Sequence, residues 1–196
     1  MKILITCFDP FGKDEINASK EVLDALDVTK FNANIIKLEI PTIRYKALDM
    51  IIKAINKEHP DVIVSLGQAG GRDGITIERI GINIDDFRIK DNDGNMPIDE
   101  PIYYDGPAAY FSTLPIREIV DNLNQNNIKA SISNSAGTFV CNHVLYGTRY
   151  YLEHNYPDIK CGFIHVPYIN GQGTPSLEKE EIVKGISLAL ETIINH

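Results

Sequence analysis

The sequence has no apolar stretch long enough to cross a bilayer as a helix, so a helical membrane span is not expected. Its opening, MKILITCFDPFG, carries one lysine and a short apolar run, and Asp9 and Pro10 end that run too early for the core of a secretion signal. Basic clusters are also missing. Lys and Arg number 19 against 27 Asp and Glu, a formal net charge of −8. Nucleic acids and anionic lipid surfaces are bound through grouped Lys and Arg, so neither is expected as a partner. Cysteine is scarce: Cys7, Cys141 and Cys161 are odd in number and lack metal-like spacing. Free thiols in a reducing cytoplasm are the economical expectation. With no HExxH, no CxxC and no grouped His and Asp, neither a metal nor another cofactor is expected. No repeat, low-complexity tract or Pro/Gly/Ser linker divides the chain, which reads as one domain over residues 1–196.

What is present is an alternation of strand-like and helix-like segments. Strands are expected at 2–6, 33–40, 62–66, 130–133 and 161–166. Helices are expected at 19–26, 42–58, 115–124, 139–153 and 176–194, the second with Ile43, Ala47, Met50, Ile51, Ala54 and Ile55 on one face. Residues 75–84 alternate as a strand would, but the parity shifts near Glu78 and Arg79, which suggests a bulge. Residues 85–115 are irregular, with a turn at DNDG, 91–94. The pattern implies an α/β sheet covered by helices on both sides. In such sheets function gathers in loops at the carboxyl ends of strands.

Cys141 follows the small-residue loop SNSAG in what reads as the first turn of a helix. With Thr138 as N-cap, Cys141 is the third helical residue, where unpaired backbone N–H groups and the helix dipole would favour a thiolate. The same N–H groups could hold an oxyanion. Equally, an unpaired cysteine here could be a small apolar core residue.

A nucleophile needs a base. His143, two residues along the same helix, faces away from Cys141. His59 and His154 lie near helix ends, and His196 is the last residue. His165 ends the apolar strand CGFIHVP, at the sheet edge where catalytic loops converge, and pairs naturally with Cys141. An acid would orient its ring. Glu78, Asp85, Asp86 and Asp91 are all eligible, and spacing does not choose among them.

The GQAGGR loop, 67–72, could cradle phosphate or a nucleoside, but it lacks the Lys-Ser/Thr of a P-loop and leads into a strand. Its glycines could equally permit a tight turn beneath a pocket. Phe8 and Phe11 of FDPFG are exposed-looking aromatics that either pack their loop onto the core or wall an apolar pocket.

FDPFG (8–12), LGQAGGRDGITIERIGIN (66–83), SAGTFVCNHVLYG (135–147) and GFIHVPY (162–168) together resemble the cysteine-type pyroglutamyl peptidases, in the same order and spacing across nearly the whole chain. The resemblance implies a three-layer α/β/α sandwich around a mostly parallel, mixed sheet. It implies hydrolysis of the bond after an N-terminal pyroglutamate through a thioester, and usually a homotetramer. It makes Cys141 the nucleophile, His165 the base and Glu78 the residue that orients it. Phe8, Phe11 and Phe139 would surround the lactam ring, Gln68 would contact it, Arg88 would stand near the oxyanion, and Asp91 matches a supporting acidic position. Pyroglutamate has no free amine, so its pocket is expected to be uncharged, with flat aromatic walls. A catalytically silent binding protein on the same scaffold is the other reading. One departure stands out: Cys7 replaces the glycine that the family usually has before the first Phe, beside the expected pocket.

Overall fold

A computed structural model describes residues 1–196. In chain order the elements are β1 (Lys2–Phe8), α1 (Ala18–Ala25), β2 (Asn34–Ile40), α2 (Arg44–Glu58), β3 (Val62–Gln68), β4 (Ile75–Glu78), β5 (Ile80–Ile82), β6 (Ala109–Phe111), α3 (Ile116–Gln125), β7 (Ala130–Ser133), α4 (Val140–Asn155), β8 (Lys160–Val166), β9 (Tyr168–Ile169), β10 (Ser176–Leu177) and α5 (Lys179–Asn195). The main sheet runs β2-β1-β3-β8-β4-β7. Its first four strands are mutually parallel, and β4 and β7 are parallel to each other. The two blocks meet in one antiparallel seam between β4 and β8. The expected α/β/α sandwich with a mixed, mostly parallel sheet is what is found.

Period-two alternation sorts the central strands onto two cores. Ile3, Ile5, Val62, Val64, Leu66, Ile75, Ile77, Ile164 and Val166 pack with α1, α3 and α5. Leu4, Phe8, Ile63, Cys161 and Phe163 take the opposite face, under α2 and α4. Near-continuous burial of β1, β3 and β8 is what a sheet covered on both faces requires.

Three expectations change. The parity shift at residues 78–79 is not a bulge, because the strand leaves the sheet there. Arg79 donates its N–H to Ser133 O at 2.8 Å and its carbonyl accepts from Ser112 N at 2.9 Å. Beyond it, β5 pairs antiparallel with β6, a strand hidden in the irregular 85–115 region. Asn142 of α4 anchors β5, accepting from Ile82 N–H and donating to the carbonyls of Ile82 and Ile84, each at 2.9 Å. Finally, Ser176 and Leu177 form a short strand with β9, so the last helix starts only at Lys179.

Candidate active site

Three adjacent strands and one helix deliver the site. On β8, Cys161 and Phe163 face the α4 layer, and alternation places His165 beside them. On β4, Ile75 and Ile77 face the other core, which turns Thr76 and Glu78 toward α4. His165 is in register with Gly67 of β3 on one side and Thr76 of β4 on the other. A Cβ at Gly67 would stand 2.7 Å from Phe163 Cζ and 3.0 Å from Cys141 Sγ. Hydrogen in place of a side chain is therefore what lets the first turn of α4 settle onto the sheet with its sulfur above this row.

Glu78 is fully buried and His165 nearly so, with His165 Nδ1 2.7 Å from Glu78 Oε1. Of the four eligible acids, Glu78 alone meets this ring. Asp85 is bonded instead to His143 Nδ1 at 2.8 Å, so His143 does face away from Cys141. His59 is exposed in a left-handed helix cap, and His154 is exposed against Tyr150 O.

The start of α4 differs from expectation. Phe139 is its N-cap, and no side chain caps it. Thr138 is occupied elsewhere: its hydroxyl donates to Asp86 O at 2.6 Å, and its carbonyl accepts from Asp86 N at 3.1 Å. Cys141 is thus the second helical residue rather than the third. The first intrahelical bond runs from His143 N to Phe139 O, so the amides of Val140, Cys141 and Asn142 precede it and can face an incoming anion.

The protonation pattern also departs from the dipole argument. A little of Cys141 reaches solvent, yet protein surrounds it on nearly every side. Burial pushes its thiol up to about 12, and the charge of Glu78 adds to this while that of Arg72 opposes it. Loss of water outweighs the helix terminus, so a thiol, not a thiolate, is the resting form. Burial likewise lowers His165 below the ordinary imidazole value, against the opposing pull of Glu78. Burial would raise Glu78, but the hydrogen bond from His165 and the charge of Arg72 hold it below the ordinary carboxylate range. The set rests as thiol, neutral imidazole and carboxylate.

Cys141 and His165 open into a cavity of about 590 Å³ with Phe8, Phe11 and Phe139 in its wall. Phe139 packs 5.8 Å from Phe11 and edge-on, 4.6 Å, to Phe87. Phe8 is not a loop aromatic: it ends β1 and is 2% exposed. The expected uncharged character holds for this aromatic wall but not for the whole cavity, which Arg72, Asp86 and Arg88 also line.

A model of the pyroglutamyl peptidase family matches residues 1–196. The chain belongs to that family. It is 56% identical to the pyrrolidone-carboxylate peptidase of Fusobacterium nucleatum over 200 residues, covering 99% of this chain and 93% of that one. The Clostridium perfringens pyrrolidone-carboxylate peptidase is 51% identical, at 99% and 93% coverage. The crystal structure of pyroglutamyl peptidase I from Bacillus amyloliquefaciens superposes with a TM-score of 0.95 at 42% identity, covering 100% of this chain and 95% of that one. A mutant pyrrolidone carboxyl peptidase from Pyrococcus furiosus gives 0.93 at 38% identity, covering 100% and 99%.

Within this pyroglutamyl peptidase fold the remaining expected residues take different places. Arg88 is exposed and lines the cavity. Gln68 lines it too, but its Oε1 already accepts from Ala18 N at 2.7 Å and Gln172 Nε2 at 3.0 Å, and its Nε2 donates to Asp14 at 2.8 Å. A ring contact would fall to its remaining N–H. Asp91 does not line the cavity. It is buried and builds the DNDG turn, accepting from the amides of Asp93 at 3.0 Å and Asn95 at 2.8 Å, and from Arg44 N, at the start of α2, at 3.2 Å. In this place it braces the loop. Cys7 packs with the α1 and α5 core and is also absent from the cavity wall, so the departure from the family glycine leaves the pocket untouched.

The phosphate reading of GQAGGR finds no support, since Gly67 and Gly70 serve close packing, the latter against Tyr168, and Arg72 is paired with Glu78. Arg72 and Tyr168 are among the cavity residues that sequence reasoning missed. A lone arginine closing a glycine-rich loop just ahead of the acid-bearing strand was the available signal for the first.

Proposed function

We propose that this chain is a pyroglutamyl peptidase that works through Cys141, His165 and Glu78 as a single 1–196 domain. The observation that carries the reading is the convergence of a thiol in the first turn of α4 and a carboxylate-bound imidazole on one aromatic-walled cavity. His165, with Nδ1–H held by Glu78, takes the thiol proton on Nε2 as the Cys141 sulfur attacks the main-chain carbonyl of pyroglutamate, the one that links it to the next residue. The oxyanion lies against the amides of 140–142. Its collapse breaks the C–N bond, and the leaving amine takes the proton from Nε2. Water then gives a proton to Nε2 and cleaves the thioester, the thiol is restored, and pyroglutamate leaves.

Hydrolysis of a chromogenic pyroglutamyl amide tests this, with loss on iodoacetamide treatment and none with EDTA as the expected pattern. The protonation state has its own signature. Because a base-competent imidazole is present above the His165 pKa, kcat/KM should fall only as the pH drops through a value below 6.5. Because the thiol sits at about 12, alkylation of the resting enzyme should keep accelerating to about pH 10. A plateau of alkylation near neutrality would instead mean a preformed thiolate–imidazolium pair.

Self-association is part of the proposal, as a homotetramer. Met96, Ile98, Tyr104 and Phe111 are large apolar side chains exposed within one stretch of 16 residues, 96–111, and burying such side chains would favour association. Sedimentation of the purified chain as a monomer at micromolar concentration would remove it. A cytoplasmic location fits three free cysteines and a mechanism that needs a reduced thiol.

A further inference from the structure

Glu78 holds two donors on one oxygen. His165 Nδ1 lies 2.7 Å from Oε1 and Arg72 Nη1 lies 2.6 Å from the same atom, while the buried Oε2 has no partner. Arg72 is fixed in this place by Thr76 Oγ1, which its Nη1 also meets, and by Ser135 O, to which Nη2 donates at 3.2 Å. Thr76 is the residue in register with His165, and Ser135 belongs to the loop leading into Cys141. The guanidinium therefore touches the acid, the rung beside the base and the segment before the nucleophile.

The two donors act oppositely on the imidazole. A carboxylate 2.7 Å away, left to itself, favours the charged ring. A guanidinium on the same oxygen cancels part of that charge and adds a positive one of its own nearby, which disfavours a second cation. We infer that Arg72 is a positioning residue for catalysis: by sharing Glu78 Oε1 with His165 it adds to burial in keeping the imidazole in its neutral, proton-accepting form. The ionisable groups around His165 are Glu78 from β4, Arg72 from the loop after β3, Cys141 from α4, Tyr168 from β9, and Asp86 and Arg88 across the shared cavity. Only Glu78 and Arg72 exert a resolved charge effect on it, in opposite senses. The inference rests on the function proposed above, since it assigns His165 the work of a base.

Comparison of Arg72→Met and Arg72→Lys on a pyroglutamyl amide tests it. In Arg72→Met the acid limb of kcat/KM should move up by about one pH unit, a roughly tenfold loss on the acid side that recovers at higher pH. Arg72→Lys, which keeps the charge, should hold the limb where the wild type has it. The His165 ring resonance, followed by NMR titration, should move with the limb, and it remains readable in an inactive variant. A folded Arg72→Met with limb and resonance unmoved would overturn the inference. So would a rise in KM alone, which would make Arg72 a substrate contact. If Arg72→Met fails to fold, Arg72→Gln keeps a neutral donor and is read in the same way. A wild type that hydrolyses no pyroglutamyl amide would sink the proposed function, while the titration would still decide what Arg72 does to the ring.

Discussion

Cys141→Ser should fold as the wild type does and lose hydrolysis of pyroglutamyl amides by on the order of 10⁴-fold or more, the scale seen when a covalent nucleophile is removed. The reason is specific to this site. A hydroxyl in place of the thiol is a far weaker acid, and His165 is itself held below its ordinary basicity by burial, so the proton transfer that thiol chemistry tolerates becomes prohibitive. Little else changes, since the helix start is fixed by its own backbone and the Thr138–Asp86 pair rather than by the sulfur. Cys7→Ser and Cys161→Ser lie outside the cavity wall and should keep much of the activity. Matched kcat values for the three variants, with melting curves, check this. A Cys141→Ser enzyme of comparable activity would remove the thioester route.

Prolyl amides should be rejected by about 10⁴-fold in kcat/KM relative to pyroglutamyl amides on the same leaving group, the discrimination expected when a buried hydrogen bond is left unmade. Proline has the ring size of pyroglutamate but no ring carbonyl, and its nitrogen is a charged secondary amine near neutral pH. Among Phe8, Phe11 and Phe139 that charge would lose its water. The one carboxylate in the cavity wall is Asp86, and Arg88 two residues on also lines it, so little net negative charge awaits an ammonium. On the proposed function, the N–H that Gln68 leaves unused would have no ring oxygen to bond. A ratio within about tenfold, the span of a size preference in an apolar pocket, would reject the lactam pocket even with Cys141 catalytic.

Much of this was legible from periodicity. Alternation along CGFIHV places His165 opposite the α1–α5 core, and alternation along ITIE does the same for Glu78, so the face each side chain takes agrees with plain strand periodicity. The choice of Glu78 over Asp85, Asp86 and Asp91 did not follow, because it depends on which strand neighbours β8, and no local pattern encodes the antiparallel β4 pairing. The helix cap was misplaced for a similar reason: Thr138 is a good capping residue locally, but a carbonyl 52 positions earlier takes its hydroxyl. Asp91 matched a supporting acidic position by resemblance, and its carboxylate closes the turn that follows it. The thiol's protonation was least legible, since burial is a property of the assembled protein and here it reverses the tendency of the helix terminus.

The antiparallel seam has one more consequence. His165 stands on the last strand of one parallel block and Glu78 on the first strand of the other, and only two residue pairs, Thr76 with His165 and Ile77 with Ile164, join the blocks. A slip of one residue there would turn Glu78 to the far face and leave the imidazole without its acid. Turnover is thus a gauge of how the halves have been joined: a chain can form every helix and both strand blocks and still be silent until that narrow join closes in the right register.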